Sequence, residues 1–221
     1  MNGEILVIGG ADGPTAVFLA GTLGSLFFCA ALVILAVFYG IYFAKKIAQK
    51  RRGIQTTQLG GHGKERSVRW TEYILSAATG LVVVVELISI FQGWNIMPWP
   101  VRIAGILCGG AGDLVFLAAV RTMKDSWRAG IPKSDETRFV SEGIYQYSRN
   151  PAFLGFDLVY LGILMMYFNG VLLLFTMWAV VMLHLQILQE ERYLKRVFGD
   201  VYLVYKSRTG RYLGRSHAGD R

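Results

Sequence analysis

Apolar runs alternate with short polar segments along most of this 221-residue chain. The five apolar runs cover residues 22–44, 70–91, 101–120, 151–168 and 171–188. A helix of roughly 20 apolar residues crosses the hydrocarbon core of a bilayer, which is about 30 Å thick. Strands of the alternating type that build membrane barrels are absent from the pattern, and helices are the other element able to span a bilayer. The pattern therefore predicts an all-α polytopic membrane protein with about five transmembrane helices.

Two features of the last runs predict how the C-terminal half folds. Only Asn169 and Gly170 separate the fourth run from the fifth, which predicts a tight helical hairpin with glycine at its turn. Beyond the fifth run, apolar residues recur at helical spacing from Leu194 to Tyr205. This spacing predicts an amphipathic tail helix at the membrane face.

Charge adds an orientation to this picture. The net charge is +8, and most Lys and Arg residues lie in segments 45–69 and 121–149 and in the tail. Basic segments between apolar runs stay on the cytoplasmic side. We therefore expect a multi-pass protein of the cell membrane with its N-terminus outside and its C-terminus inside. The same distribution points to lipid headgroups rather than nucleic acid as the partner of the positive charge.

Four acidic or histidine residues lie inside the apolar runs beyond the terminal turns: Glu86, Asp113, Asp157 and His184. Such residues are costly in lipid and are candidates for function. Asp157 and His184 would lie at similar depth on the hairpin arms, where they could form a structural hydrogen bond or a functional pair. Glu86 and Asp113 could pair in the same way between the second and third helices. Cys29 and Cys108 are both in apolar runs, so we expect inert thiols and no metal site.

The boundary between the second basic segment and the fourth run reads Arg149-Asn150-Pro151. Proline suits the first turn of a helix, and asparagine before it is a good cap. Glu190 and Glu191 close the fifth run, where the helix dipole disfavours carboxylates. The pattern thus predicts that Arg192, Arg196 or a cationic ligand offsets their charge.

The C-terminal half contains an ordered series of motifs: DSWRAGI at 125–131, TRFV at 137–140, G-x-Y-x-x-x-RNP-x-F-x-G at 143–155, EE at 190–191 and FG-x-x-Y-x-x-Y at 198–205. This series resembles the isoprenylcysteine carboxyl methyltransferase family and its bacterial relatives, which include membrane phospholipid methyltransferases. The resemblance covers residues 120–212 and implies a helical membrane enzyme that uses S-adenosylmethionine without a Rossmann domain. Its acceptor would be a lipid or small amphiphile.

The resemblance also implies roles for individual residues. Glu190 and Arg149 are the catalytic candidates, as a base and as a cation for an acidic group, and Glu190 with Gln186 would face the acceptor. The implied cofactor contacts are Arg138, Phe139, Val140, Tyr145, Asn150, Pro151, Ala152, Phe153 and Arg196. The apolar pattern predicts one integral domain, with an appendage over residues 1–21 and the first three transmembrane helices over 22–120, and the resemblance adds a cofactor-binding catalytic region over 121–214.

Three positions depart from the family pattern. Asn150 replaces a histidine, which excludes a general base there. Gln186 replaces an arginine, which removes the bidentate partner of a substrate carboxylate. The tail has Gly210 and Arg211 without the usual proline after the arginine. The second departure argues against a prenylcysteine acceptor.

Two other functions compete with methyl transfer. Membrane sterol reductases share a similar hairpin and an Arg-His-Pro motif but use NADPH. Residues 9–16, GGADGPTA, are similar to a segment of the β subunit of sodium-pumping decarboxylases, in which the aspartate lies in an ion pathway. That similarity would make the protein an accessory subunit with Asp12 as an ion ligand, whereas a turn and cap at the start of a helix explains the same residues.

Overall fold

The computed structural model of the chain describes residues 15–54, 56, 59, 64–128, 130 and 139–214, with side chains from residue 24 onward. Five α-helices make up the fold: α1 Thr15–Arg51, α2 Arg66–Gln92, α3 Trp99–Met123, α4 Pro151–Met166 and α5 Gly170–Arg208. Two 3₁₀ helices, Lys124–Ser126 and Gly143–Gln146, lie between α3 and α4. The all-α prediction is confirmed. Arg138 and residues 9–14, including Asp12, lie outside the described residues.

Four of the helices, α1, α2, α3 and α5, are long and apolar enough to cross a membrane. The fourth apolar run forms α4, which has 16 residues and is therefore about 24 Å long. The chain is a multi-pass membrane protein. The tail helix is not separate, because α5 continues from the last span through 39 residues and changes direction only at Gly199, where φ is +51°.

Close packing of α4 against α3 depends on glycine. A Cβ on Gly162 would lie 2.6 Å from the Gly109 backbone nitrogen, and one on Gly105 would lie 2.7 Å from the Gly162 carbonyl oxygen. One on Gly112 would lie 2.9 Å from the Gly155 carbonyl oxygen. These distances are too short for any side chain, so the close contact between α3 and α4 requires glycine at these positions.

The predicted pairs of ionisable residues do not form. The arms of the hairpin diverge, because α4 packs mainly on α3 and α5 packs mainly on α2. His184 Nδ1 is 2.7 Å from the Tyr212 hydroxyl. Among the described residues, Asp157 Oδ1, Asp113 Oδ1 and both Glu86 carboxylate oxygens have no hydrogen-bond partner. The pairs were inferred from the similar depth of the residues in the membrane, but the packing of the helices does not bring them together.

A short segment after α5, residues 209–214, folds back across the start of α4; we call it the C-terminal strap. The Arg149 N–H donates to the Gly210 carbonyl at 3.0 Å, and the Gly214 N–H donates to the Tyr147 carbonyl at 3.1 Å. Gly210 closes the strap by donating to the Gly214 carbonyl at 2.7 Å. The strap joins the end of the chain to the segment that carries Arg149 and Asn150.

Candidate functional site

A cavity opens at the end of the bundle where α3 ends and α4 begins; we call this the site end. Three stretches of chain surround it: the segment after α3, the segment that leads into α4, and the later half of α5. The lining residues are Met123, Ser126, Trp127, Arg128, Gly130, Phe139, Val140, Tyr145, Arg149, Asn150, Ala152, Phe153, Glu190, Tyr193, Leu194, Phe198 and Tyr205.

The start of α4 places two polar residues at the cavity wall. Pro151 occupies the first turn of α4, as predicted. Asn150 stands at the N-cap position, but its side chain makes no capping hydrogen bond, so that prediction is wrong. Its amide Nδ2 instead donates to Glu191 Oε1 at 3.4 Å and to the Arg211 carbonyl at 3.2 Å. The side chain is turned away from the helix end because α5 and the strap offer it acceptors.

Glu191 is the centre of a buried ionic network. Its carboxylate lies 3.0 Å from Arg149 Nη2, and Arg211 donates to it through Nε at 3.1 Å and Nη2 at 3.0 Å. Glu191 and the Arg149 side chain are each 7% exposed. Because Arg211 donates these hydrogen bonds to the Glu191 carboxylate, the pKa of its guanidinium is raised above the ordinary value. The prediction that Arg192 or Arg196 offsets this charge is wrong, because α5 does not end here and the partners come from distant segments.

Glu190 has different surroundings, because consecutive helical residues point about 100° apart. Its side chain lines the cavity, and Gln186 Nε2 donates to its Oε1 at 3.1 Å. Lys64, which precedes α2, and Glu72 on α2 form an ion pair whose two charges have opposite electrostatic effects on Glu190. A carboxylate at a cavity wall beside a neutral amide is suited to bind a cation or to accept a proton.

Aromatic rings form the opposite wall. The Phe139 ring centroid lies 5.1 Å from that of Phe198 and 5.3 Å from that of Tyr205. The Tyr205 hydroxyl donates to the Tyr145 carbonyl at 2.6 Å, which ties the wall to the segment before α4. Burial raises the pKa of Tyr145, so its phenol stays neutral in the working range. Burial also raises the pKa of Tyr212, the strap residue beside His184.

The structure brings together most of the residues that the resemblance singled out. Eight of them line the cavity: Phe139, Val140, Tyr145, Arg149, Asn150, Ala152, Phe153 and Glu190. Pro151 is buried in the first turn of α4, and Gln186 lies one turn behind Glu190. Arg196 does not line the cavity, and its guanidinium carbon lies 6.0 Å from the ring centroid of Tyr193, which does.

Sequence reasoning missed several residues of the site. Trp127 and Arg128 belong to the 125–131 motif, which supported the resemblance without giving either residue a role. The partnership of Glu191 with Arg211 carries no local signal, since the two are 20 positions apart and meet only because the strap turns back. The adjacent glutamates were treated as one feature, although a helix separates them onto two faces.

The residues around the cavity suit S-adenosylmethionine, whose adenine is flat and whose amino acid end carries a carboxylate. Phe139, Phe198 and Tyr205 offer flat apolar surfaces for a base. The Nε of Arg149 is buried without a hydrogen-bond partner among the described residues, and Arg149 lines the cavity. A guanidinium N–H left free in this way fits a carboxylate.

Comparison with known proteins gives the activity. Residues 101–201 match the sequence profile of the phospholipid methyltransferase family. A search of curated proteins finds no significant match. The matched stretch contains most of the cavity wall, from the end of α3 to Phe198 on α5. The chain is therefore a membrane methyltransferase that uses S-adenosylmethionine, similar over residues 101–201 to phospholipid methyltransferases.

Proposed function

We propose that this protein methylates the amino group of a phospholipid headgroup, with S-adenosylmethionine as the methyl donor. The observation that carries the proposal is Glu190, a carboxylate at the cavity wall whose hydrogen bond comes from the neutral amide of Gln186. A carboxylate acceptor would meet a like charge there, and Gln186 lacks the guanidinium that would hold it. An ammonium acceptor would meet the opposite charge.

Glu190 is the base in this proposal. A protonated amine has no lone pair, so Glu190 first accepts one N–H proton and leaves a neutral amine. When bound, S-adenosylmethionine supplies a sulfonium methyl group, which moves to the nitrogen lone pair while the electrons of the C–S bond stay on sulfur. The aromatic wall around Phe139 excludes water and keeps the reacting groups in line.

The remaining candidates hold the ligands. Arg149, which Glu191 holds at the cavity wall, binds the donor's carboxylate in this proposal. Tyr145, Asn150, Pro151, Ala152 and Phe153 frame the donor from the start of α4, together with Val140. Arg138 lies outside the described residues and is assigned to the donor by the resemblance alone. Arg196, which lies outside the cavity on α5, attracts an acidic headgroup. This assignment makes residues 121–214 the catalytic region, 22–120 the supporting helices and 1–21 an appendage.

The site end faces the cytoplasm in this proposal, with the N-terminus outside. Arg52 of the basic segment 45–69 pairs at 2.9 Å with Asp125 of the basic segment 121–149, next to Ser126 of the cavity wall. Basic segments stay on the cytoplasmic side. S-adenosylmethionine would then enter from the cytoplasm, while the lipid acceptor enters sideways from the bilayer between helices.

The test combines binding with turnover in detergent-purified protein. S-adenosylhomocysteine at a hundredfold excess over its dissociation constant should stabilise the fold by about 2.7 kcal/mol, whereas NADPH and sodium should not. Methyl transfer is then followed by mass spectrometry with three acceptors: an ethanolamine phospholipid, phosphatidylglycerol and a farnesylated cysteine. We expect the amine alone to be methylated. Methylation of the prenylcysteine carboxylate instead would overturn the proposal, and stabilisation by NADPH alone would point to a reductase.

A further inference from the structure

A buried ion pair joins Lys64, which precedes α2, to Glu72 in the early part of α2, and it lies outside the matched family region. Lys64 Nζ donates to Glu72 Oε1 at 2.6 Å and to Oε2 at 2.8 Å. The Lys64 side chain is 6% exposed and the Glu72 side chain is 0% exposed. Burying two charges costs solvation energy that their attraction barely repays. The pair therefore needs an explanation beyond stability.

The pair is positioned to act on Glu190. Because α2 packs along α5, the first turns of α2 lie beside the later half of α5. Gln189, the neighbour of Glu190, donates from Nε2 to the hydroxyl of Thr71, the neighbour of Glu72, at 2.8 Å. Burial and the hydrogen bond from Gln186 have the larger effects on the protonation of Glu190, and the Glu72 carboxylate and the Lys64 ammonium add opposite electrostatic effects. Among the described residues, two carboxylates and one ammonium thus share this corner of the protein.

The other groups that the structure describes around Glu190 do not balance its charge. Gln186 is neutral, and Tyr145 remains an uncharged phenol because it is buried. Arg149 is paired with Glu191, and Arg128 donates to the backbone carbonyls of residues 125 and 127. From α4, Ala152 and Phe153 line the cavity and neither is titratable.

We infer that the Lys64–Glu72 ion pair sets the pH range in which Glu190 can take a proton from the acceptor. Lys64 and Glu72 are positioning residues that act through Glu190 without touching the acceptor. The inference rests on the proposed function, in which Glu190 is the base. It gives the N-terminal half of the chain a role in catalysis that the motifs of the C-terminal half do not contain.

The test uses Glu72→Gln, Lys64→Met and the double variant in the full-length protein. Removing the Glu72 charge leaves the ammonium beside Glu190, so the acid limb of the pH–rate profile should move to lower pH by about one unit. Removing the Lys64 charge leaves two carboxylates to share the corner, so the limb should move to higher pH by a similar amount. The double variant should return toward the wild-type midpoint.

A second readout does not depend on turnover. Hydrophobic carbodiimides react with protonated carboxyls, so the labelling of Glu190, read by peptide mass spectrometry across pH, reports its protonation directly. Labelling midpoints should move in the same opposite directions as the rate profiles. Lys64→Arg keeps the positive charge and should restore the wild-type midpoint.

Arg52→Met provides the matched control, because it breaks an exposed ion pair in which the Arg52 and Asp125 side chains are 64% and 49% exposed. It should leave both midpoints unchanged. Midpoints that move in one common direction, or that stay within about 0.2 pH unit in both single variants, would overturn the inference even if the wild type methylates the amine. A wild type that binds S-adenosylhomocysteine but methylates no amine would remove the proposed function instead, and the inference with it.

Discussion

Glu190 and Glu191 are adjacent in the chain, yet the two sides of α5 that they occupy are different kinds of region. The Glu191 side is closed: two guanidiniums, the Asn150 amide and the C-terminal strap surround one carboxylate. The Glu190 side is open: its carboxylate borders a cavity and receives a hydrogen bond from a neutral amide. A carboxylate whose charge and hydrogen bonds are matched by protein groups stabilises the structure. A carboxylate that borders a cavity and has only a neutral partner is available for chemistry. Position on the helix, rather than residue type, makes the difference.

The largest effect should come from the open side. Glu190→Gln keeps the size and hydrogen bonding of the side chain but removes the base, so methyl transfer should fall about 100- to 10,000-fold. Thermal stability and stabilisation by S-adenosylhomocysteine should persist, since no ion pair is lost. Asp200→Asn, an exposed change on the same helix, should leave turnover unaffected. Full turnover by Glu190→Gln would show that Glu190 is not the base, and the functional difference between the two glutamates would not hold.

Glu191→Gln should have the opposite effects to Glu190→Gln, because its main consequence should be a loss of thermal stability. Arg149 is 7% exposed and would remain as a buried cation without its counter-charge, a situation that costs about 3–5 kcal/mol. Thermal denaturation in detergent, compared with Glu190→Gln under identical conditions, measures the difference. Equal melting temperatures for the two variants would show that the Glu191 network contributes nothing to folding.

The comparison also shows what the sequence could predict. The apolar runs and the proline of α4 follow from local physics, so the all-α class and the start of α4 were predictable. The resemblance gave roles to eight of the cavity residues. The contact between Glu191 and Arg211 was out of reach, because the strap that joins them has no periodicity. The Asp157–His184 pair failed because depth in a membrane does not determine which helices pack together.

Arg211→Gln should weaken the ionic network around Glu191 without abolishing it. The Arg211 side chain is 35% exposed, so solvent screens much of its attraction to Glu191. Arg149 remains as a counter-charge, and we expect a loss of about 1–2 kcal/mol. Thermal denaturation provides the measurement, with Arg208→Gln on the exposed end of α5 as the control. A loss as large as that in Glu191→Gln would place the main counter-charge in the strap rather than in Arg149.

The smallest effect should come from Tyr212→Phe. This change tests whether the strap is held by the ionic contacts of Arg211 or by the contact between Tyr212 and His184. The change removes the hydroxyl that meets His184 Nδ1 at 2.7 Å but keeps the ring that stacks on the imidazole. One hydrogen bond contributes about 0.5–1.5 kcal/mol, so the melting temperature should fall slightly and turnover should stay unchanged. If Tyr212→Phe lowered turnover as strongly as Glu190→Gln, the strap would belong to the site, and the division between a structural and a chemical side of α5 would fail.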